Sequence, residues 1–193
     1  MFIKSCRVWL CAVVAVAMLS TGSFAEDLLV VDLSVTNQVT VFATTGLSAA
    51  TVTGSDSTGV YFEDFYGVAG VSLSATLVSG NLTNAQNPPD NSPALYRSGS
   101  GSDPGLNIYS WSPDSNVTFT AGSLAFVGSG TWTVSSAAFT DMINGARSGN
   151  LYFPADSVDD IPTASLLGTY SVYVPEPSSM LLLSLGLVML RRR

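Results

Sequence analysis

A strand-type alternation of apolar and hydroxyl-bearing residues runs through the middle of this chain. In residues 68–78, for example, Ser72, Ser74 and Thr76 alternate with apolar residues, which gives a strand one apolar and one polar face. Strands are predicted over residues 28–35, 38–43, 59–63, 68–78, 106–111, 116–120, 123–127, 130–134, 149–153 and 166–174. Short strands separated by turns predict a mostly β fold, a single β-sandwich-like domain over residues 26–173.

Two segments of this middle region depart from the strand pattern. Residues 136–147 place Phe139, Met142 and Ile143 at helical spacing, and Ser135 or Ser136 precedes them as a potential N-cap, so one short helix is predicted. Residues 81–103 are rich in proline, glycine and serine and are predicted to form a flexible loop.

The N-terminus has the three parts of a secretory signal peptide. Lys4 and Arg7 precede an uncharged apolar run over residues 8–19, and Ser23 and Ala25 supply the small side chains of a cleavage site before Glu26. A transmembrane anchor is the alternative, but the run is shorter than the roughly 20 residues that a span needs. We expect residues 1–25 to be removed on export.

Removal of this leader limits the chemistry of the remaining chain. The leader holds both cysteines and the one lysine, and the sequence has no histidine. Ser-His-Asp triads, thiol nucleophiles, Schiff-base lysines and histidine or thiolate metal sites are therefore excluded from the domain. Catalysis by a carboxylate pair, with Glu63 and Asp64 or Asp159 and Asp160, stays open. The sequence predicts a protein that is not an enzyme and has no cofactor.

The charge of the middle region is strongly negative. Arg97 and Arg147 are its basic residues, against 14 acidic residues. Such a surface repels phosphate backbones, so no nucleic acid is expected as a partner. The densest acidic cluster is Asp156, Asp159 and Asp160, which is a weak calcium candidate because calcium favours carboxylate oxygens on a loop. Turn and capping roles are the alternative for these residues.

Aromatic side chains could stack on sugar rings, although core packing is the usual role of aromatic residues in strands. Tyr109 and Trp111 lie on the same side of a predicted strand. They are the most plausible exposed pair.

The C-terminus is a sequence of three elements. Pro175, Glu176 and Pro177 form an extended, accessible peptide, because proline fixes φ and keeps its predecessor out of a helix. A basic cluster, Arg191, Arg192 and Arg193, closes the chain and favours the cytoplasmic side of a membrane. Between them lies an uncharged run whose apolar members are Met180, Leu181, Leu182, Leu183, Leu185, Leu187, Val188, Met189 and Leu190.

This apolar run is short for a membrane span. As a helix, residues 178–190 would extend about 20 Å, against a hydrocarbon core of about 30 Å. Residues 170–174 are apolar and could add depth, although the prolines interrupt the segment. A transient anchor fits the length better than a permanent one, and a buried amphipathic end of the domain is the alternative.

Residues 174–193 as a whole resemble the PEP-CTERM sorting signal of Gram-negative bacteria. The resemblance implies recognition of Pro175, Glu176 and Pro177 by an exosortase, a membrane-embedded protease or transpeptidase. It further implies an inner-membrane-anchored precursor that is passed to the cell surface or extracellular matrix, and a link to exopolysaccharide or biofilm. Three functions remain open: a structural surface protein, a carbohydrate-binding module that is calcium-assisted or not, and a carboxylate-dependent glycan hydrolase.

Overall fold

Thirteen strands and one α-helix make up the computed structural model, which describes residues 27–175. The strands are β1 (Asp27–Asp32), β2 (Gln38–Ala43), β3 (Val52–Ser55), β4 (Val60–Phe62), β5 (Ala75–Gly80), β6 (Thr83–Asn84), β7 (Ala94–Tyr96), β8 (Leu106–Tyr109), β9 (Asn116–Phe119), β10 (Phe126–Val127), β11 (Ser129–Val134), β12 (Ser148–Phe153) and β13 (Ser165–Tyr173). Helix α1 spans Ser136–Asn144, and 3₁₀ turns span Gly99–Gly101 and Val158–Asp160. These elements confirm the expected mostly β, sheet-rich domain.

Nine of these strands form one sheet in the order β5-β11-β2-β1-β13-β12-β4-β8-β7, and β3 with β9 and β6 with β10 form two small antiparallel pairs. The large sheet curls until its two edge strands approach each other. Gly80 of β5 lies against Pro93, the residue before β7, and the Trp132 indole N–H of β11 donates to the Pro93 carbonyl at 2.9 Å. This curl encloses the core.

The core combines inward-facing residues of the large sheet, which alternate along its strands, with residues of the two small strand pairs, of α1 and of the loops. Phe62, Phe65 and Tyr170 form one aromatic group, and Phe119 packs between Phe126 and Phe153 in another. All of these rings are buried. Aromatic residues at inward positions therefore supply much of the apolar area that stabilises the domain.

Helix α1 agrees with its sequence signals. Ser135 is the N-cap, and its Oγ accepts a hydrogen bond from the Ala138 N–H at 3.2 Å. Phe139 and Met142 are buried. The helix ends at Asn144, three residues before the predicted end, with Gly145 as its C-cap.

Three strand-level predictions are wrong. The predicted strand over residues 68–78 begins only at Ala75, and β3 was not predicted. The predicted loop over residues 81–103 contains β6, β7 and a 3₁₀ turn. In residues 68–74 the Val68 and Val71 carbonyls accept hydrogen bonds from the Arg97 side chain. A distant side chain thus takes the backbone bonds that a neighbouring strand would otherwise make.

Candidate functional site

The predicted sorting motif begins where the last strand ends. Val172 and Val174 pack against the core, and the Leu33 N–H donates to the Tyr173 carbonyl at 2.9 Å. Pro175 is exposed. Glu176 and Pro177, the apolar run Met180 to Leu190 and the three arginines lie outside the described residues. The leader, with Ser23 and Ala25, does so too.

The suggestion that residues 170–174 lengthen the membrane segment is wrong. Tyr170 is buried in the core and donates its phenolic hydrogen to the Glu63 carbonyl at 2.6 Å. Residues 170–173 pair with β1 on one side and, at Tyr170 and Ser171, with β12 on the other. Within residues 27–175, no helix is long and apolar enough to cross a membrane.

The pairing of β1 with β13 fixes where the chain enters and leaves the domain. These two strands are parallel, with Asp27 opposite Thr169 and Asp32 opposite Tyr173. Because the two strands run in the same direction, residue 27 lies toward the end of the sheet from which β13 starts. We call this the entry end. The sorting tail leaves from the opposite end, where β1 and β13 finish, which we call the exit end.

The acidic cluster behaves as a turn. The Asp160 Oδ2 accepts a hydrogen bond from the Asp156 N–H at 3.0 Å and lies 3.4 Å from the Ser157 hydroxyl, which donates to it. In the described part of the chain, no three His, Cys, Asp or Glu side chains are grouped so that they could hold a metal ion. This geometry favours the capping role over calcium for Asp156, Asp159 and Asp160.

The acid pairs considered for hydrolysis lie in turns that follow β4 and β12. Glu63 Oε2 accepts a hydrogen bond from the Asn150 amide at 2.7 Å, just beyond the end of β4. Asp64 follows it with a φ of 54° in a turn. Asp159 and Asp160 are consecutive in a 3₁₀ turn.

The prediction that Trp111 forms an exposed aromatic pair with Tyr109 is wrong. Only 1% of Trp111 is exposed, and its ring packs near Phe153. Tyr109 is instead accompanied by Tyr96, which the sequence analysis did not select and which is 44% exposed. The two tyrosines lie on the adjacent strands β8 and β7, where Tyr96 is paired with Asn107.

Tyr96 and Tyr109 line a small open cleft of about 260 Å³, together with Ser57, Asn107 and Asp156. The Asn107 amide nitrogen donates to the carbonyls of Thr58 and Ala155, each at 2.8 Å. Asn107 thus joins the loop after β3 to the segment after β12, and the floor of the cleft is fixed before any ligand arrives. Burial, followed by repulsion from Asp160, raises the pKa of the Asp156 carboxyl.

Arg97 and Asp141 form a buried ion pair at the exit end, which was not predicted from the sequence. Arg97 Nη1 lies 2.7 Å from Asp141 Oδ2, with side chains 0% and 1% exposed. The Arg97 guanidinium also stacks on Tyr66, 3.7 Å from its ring centre. The same guanidinium donates to the carbonyls of Val68, Val71 and Asp103.

Asp103 connects this buried ion pair to the turn at residues 156–160, because its carbonyl accepts from Arg97 and its carboxylate accepts from the Val158 N–H. Its carboxylate accepts hydrogen bonds from the Tyr61 hydroxyl at 2.6 Å and from the Gly105 and Val158 N–H groups. Burial and the Asp103 carboxylate raise the pKa of Tyr61, so this hydroxyl stays protonated as a donor. Arg97, Asp103, Asp141 and Tyr61 thus have hydrogen-bond partners within the fold, whereas the buried Tyr66 hydroxyl has none among residues 27–175.

Comparison with known families and proteins gives one positive finding. Residues 174–193 match the family model of the PEP-CTERM protein-sorting motif. No curated protein and no solved structure matches the chain. The motif indicates an exported protein that is recognised by an exosortase and sorted through membrane anchoring. It confirms the resemblance predicted from residues 174–193.

Proposed function

We propose that this protein is a non-enzymatic, matrix-associated structural protein of the cell surface, linked to exopolysaccharide or biofilm. The observation that carries the proposal is the sorting motif at residues 174–193, which begins directly after β13, the last strand of the β domain, ends at Tyr173. In this proposal the leader exports the domain, and the apolar run and three arginines hold the precursor in the inner membrane until an exosortase processes it.

The roles of the carboxylates support a structural rather than a catalytic domain. Most of those described accept hydrogen bonds that fix turns or join elements, namely Asp27, Asp32, Asp56, Glu63, Asp90, Asp103, Asp114, Asp141 and Asp160. Residues 27–175 also contain no histidine, cysteine or lysine. General acid–base catalysis by these nine carboxylates would compete with their structural hydrogen bonds.

Replacement of Pro175, Glu176 and Pro177 by alanine tests the sorting proposal. The change removes the recognised carboxylate and allows a helix to run through the junction. In a host with an exosortase, we expect the variant to accumulate in the inner membrane with its tail intact, while the parent protein leaves that fraction. Fractionation with intact-mass analysis measures this.

A matched control is Ser179→Ala, which changes the same tail outside the Pro-Glu-Pro motif and should be processed as the parent is. Identical processing of the triple variant and the parent protein would overturn the sorting proposal.

The cleft lined by Tyr96 and Tyr109 favours a second candidate function, binding of a neutral saccharide of the exopolysaccharide. Aromatic faces can cover a sugar ring, and Ser57 and Asp156 line the cleft with polar groups above the buried Asn107. The cleft has no arginine among these lining residues and one carboxylate, which disfavours an anionic sugar.

A glycan array with the Tyr96→Ala/Tyr109→Ala variant tests this second function, with and without calcium. Tyr173→Ala is the matched control, because Tyr173 is also exposed but lies at the exit end. Binding that both variants retain, or no binding by the parent protein, would count against the cleft.

A further inference from the structure

The distance between the folded domain and the sorting tail is very short. Val174 still packs against the core, and Met180 begins the apolar run. The five steps from Pro175 to Met180 extend at most about 18 Å even in a fully stretched chain. A domain of this size has a diameter of about 40 Å, from its expected radius of gyration. The tether is therefore shorter than the body that it holds.

This tether has to cross the lipid headgroups before the domain begins. The headgroup region occupies about 5–8 Å on each side of the hydrocarbon core, which leaves about 10 Å of free reach. The short apolar run reduces that reach further, because a segment shorter than the bilayer draws its flanking residues inward. The exit end is thus held close to the membrane surface.

The residues around the exit suit such a position. Val35, in the turn between β1 and β2, is 55% exposed, and Tyr173 at the end of β13 is 57% exposed. The Leu33 N–H bond to the Tyr173 carbonyl places this turn beside the exit. Exposed tyrosine at the boundary of a membrane is favourable, because its ring is apolar and its hydroxyl is polar.

The two arginines of the described chain follow the same polarity, whereas acidic residues lie at both ends. Both arginines lie at the exit end. Arg97 is buried there, whereas Arg147 is exposed and its carbonyl accepts from the Val172 N–H at 2.8 Å. The acids at this end are Asp32, Glu63, Asp64, Asp103 and Asp141, and all but Asp64 accept hydrogen bonds. Four other acids, Asp27, Asp56, Asp90 and Asp114, lie at the entry end.

We propose that the exit end of the domain, around Val35, Arg147 and Tyr173, is a surface that faces and contacts the bilayer in the precursor. This inference rests on the membrane segment of the proposed function. The entry end, which carries Asp27, Asp56, Asp90 and Asp114 but neither arginine of the described chain, then points away from the membrane, and the exosortase meets the Pro-Glu-Pro motif in the narrow space between the domain and the lipid.

Site-specific fluorescence of the membrane-bound precursor tests this orientation. The exported precursor, residues 26–193, holds neither of the chain's two cysteines and is reconstituted in vesicles of phosphatidylethanolamine and phosphatidylglycerol that contain a headgroup nitroxide lipid. A single fluorophore is attached through Val35→Cys at the exit end or Ala121→Cys at the entry end. Both positions are exposed turns. The Ser48 N–H donates to the Ser123 carbonyl and the Ala49 N–H donates to the Leu167 carbonyl, which places Ala121 near the start of β13.

We expect the nitroxide to quench the probe at position 35 several-fold more strongly than the probe at position 121. A 20-residue Gly/Ser insertion between Val174 and Pro175 should reduce this difference, because a flexible linker of that length extends about 25 Å on average. A difference that survives the insertion would show that the surface binds lipid by its own affinity, and would also support the proposal.

Two results would overturn the proposed orientation, and each points to a different failed premise. Equal quenching at both positions in chains that float with the vesicles would refute the orientation while leaving the sorting tail intact. Failure of the chain to float with vesicles at all would refute the membrane segment, and this inference with it.

Discussion

Removal of the Arg97 guanidinium should strongly destabilise the domain. Arg97→Met leaves the Asp141 carboxylate, whose side chain is 1% exposed, without its cationic partner. It also leaves the Val68, Val71 and Asp103 carbonyls without the donors that hold the two surrounding loops. Loss of one partner of a buried ion pair costs about 3–5 kcal/mol, and each newly unpaired buried acceptor adds about 1–3 kcal/mol if it is not rehydrated.

The net loss should be about 3–5 kcal/mol and not the full sum of these terms, since loops 66–74 and 97–105 can open and let water reach the unpaired acceptors. For a domain of this length, 1 kcal/mol corresponds to about 2–4 °C in melting temperature. Arg97→Met should therefore melt about 6–20 °C below the parent domain. Thermal and urea unfolding of residues 26–175, followed by circular dichroism and by the fluorescence of buried Trp111 and Trp132, measures the loss.

The domain supplies its own matched control. Arg147→Met changes the other arginine, which is exposed, and should alter stability by no more than about 0.5 kcal/mol. The double variant Arg97→Met/Asp141→Leu should recover part of the loss, because no unpaired charge remains buried. Melting of Arg97→Met within 2 °C of the parent would refute the reasoning.

Three further predictions concern individual residues and ions. Burial raises the pKa of the Asp56 carboxyl, so the folded state holds this proton to higher pH than the unfolded state does. Asp56 therefore makes the domain less stable as the pH rises through the two pKa values, and Asp56→Asn should flatten that slope in unfolding experiments. Ser135→Ala removes the cap of α1 and should cost about 1 kcal/mol, whereas Ser136→Ala should change little. EDTA should leave the melting temperature of residues 26–175 unchanged, and a lower value would restore Asp156, Asp159 and Asp160 as a calcium site.

Strand prediction succeeded where one face of a strand packs on the core. Residues 38–43 and 130–134 alternate, and they form β2 and most of β11 with Val39, Val41, Trp132 and Val134 inward. Strand prediction failed over residues 68–74. The alternation of side chains there does not show which group forms hydrogen bonds with the backbone carbonyls. Arg97, more than 20 residues away, takes those carbonyls in the fold.

Aromatic residues show the same limit. Tyr109 and Trp111 are two apart, so a strand would place them on one side, but the strand ends at Tyr109 and Ser110 takes a positive φ of 57°. That turn sends Trp111 into the core. Tyr96 joins Tyr109 through the pairing of β7 with β8, which brings together residues that no local spacing relates.

The sequence by itself determined the mostly β class, the capped helix and the sorting tail, because each depends on a local pattern that is complete within a few turns or strands. Only the tertiary structure decided that β1 and β13 are parallel neighbours, that Arg97 pairs with Asp141, and that no free linker separates the core from Pro175. These features depend on contacts between residues tens to more than a hundred positions apart. A local pattern does not specify such contacts, because the same apolar face could pack against many different elements and the same charged side chain could pair with many different residues.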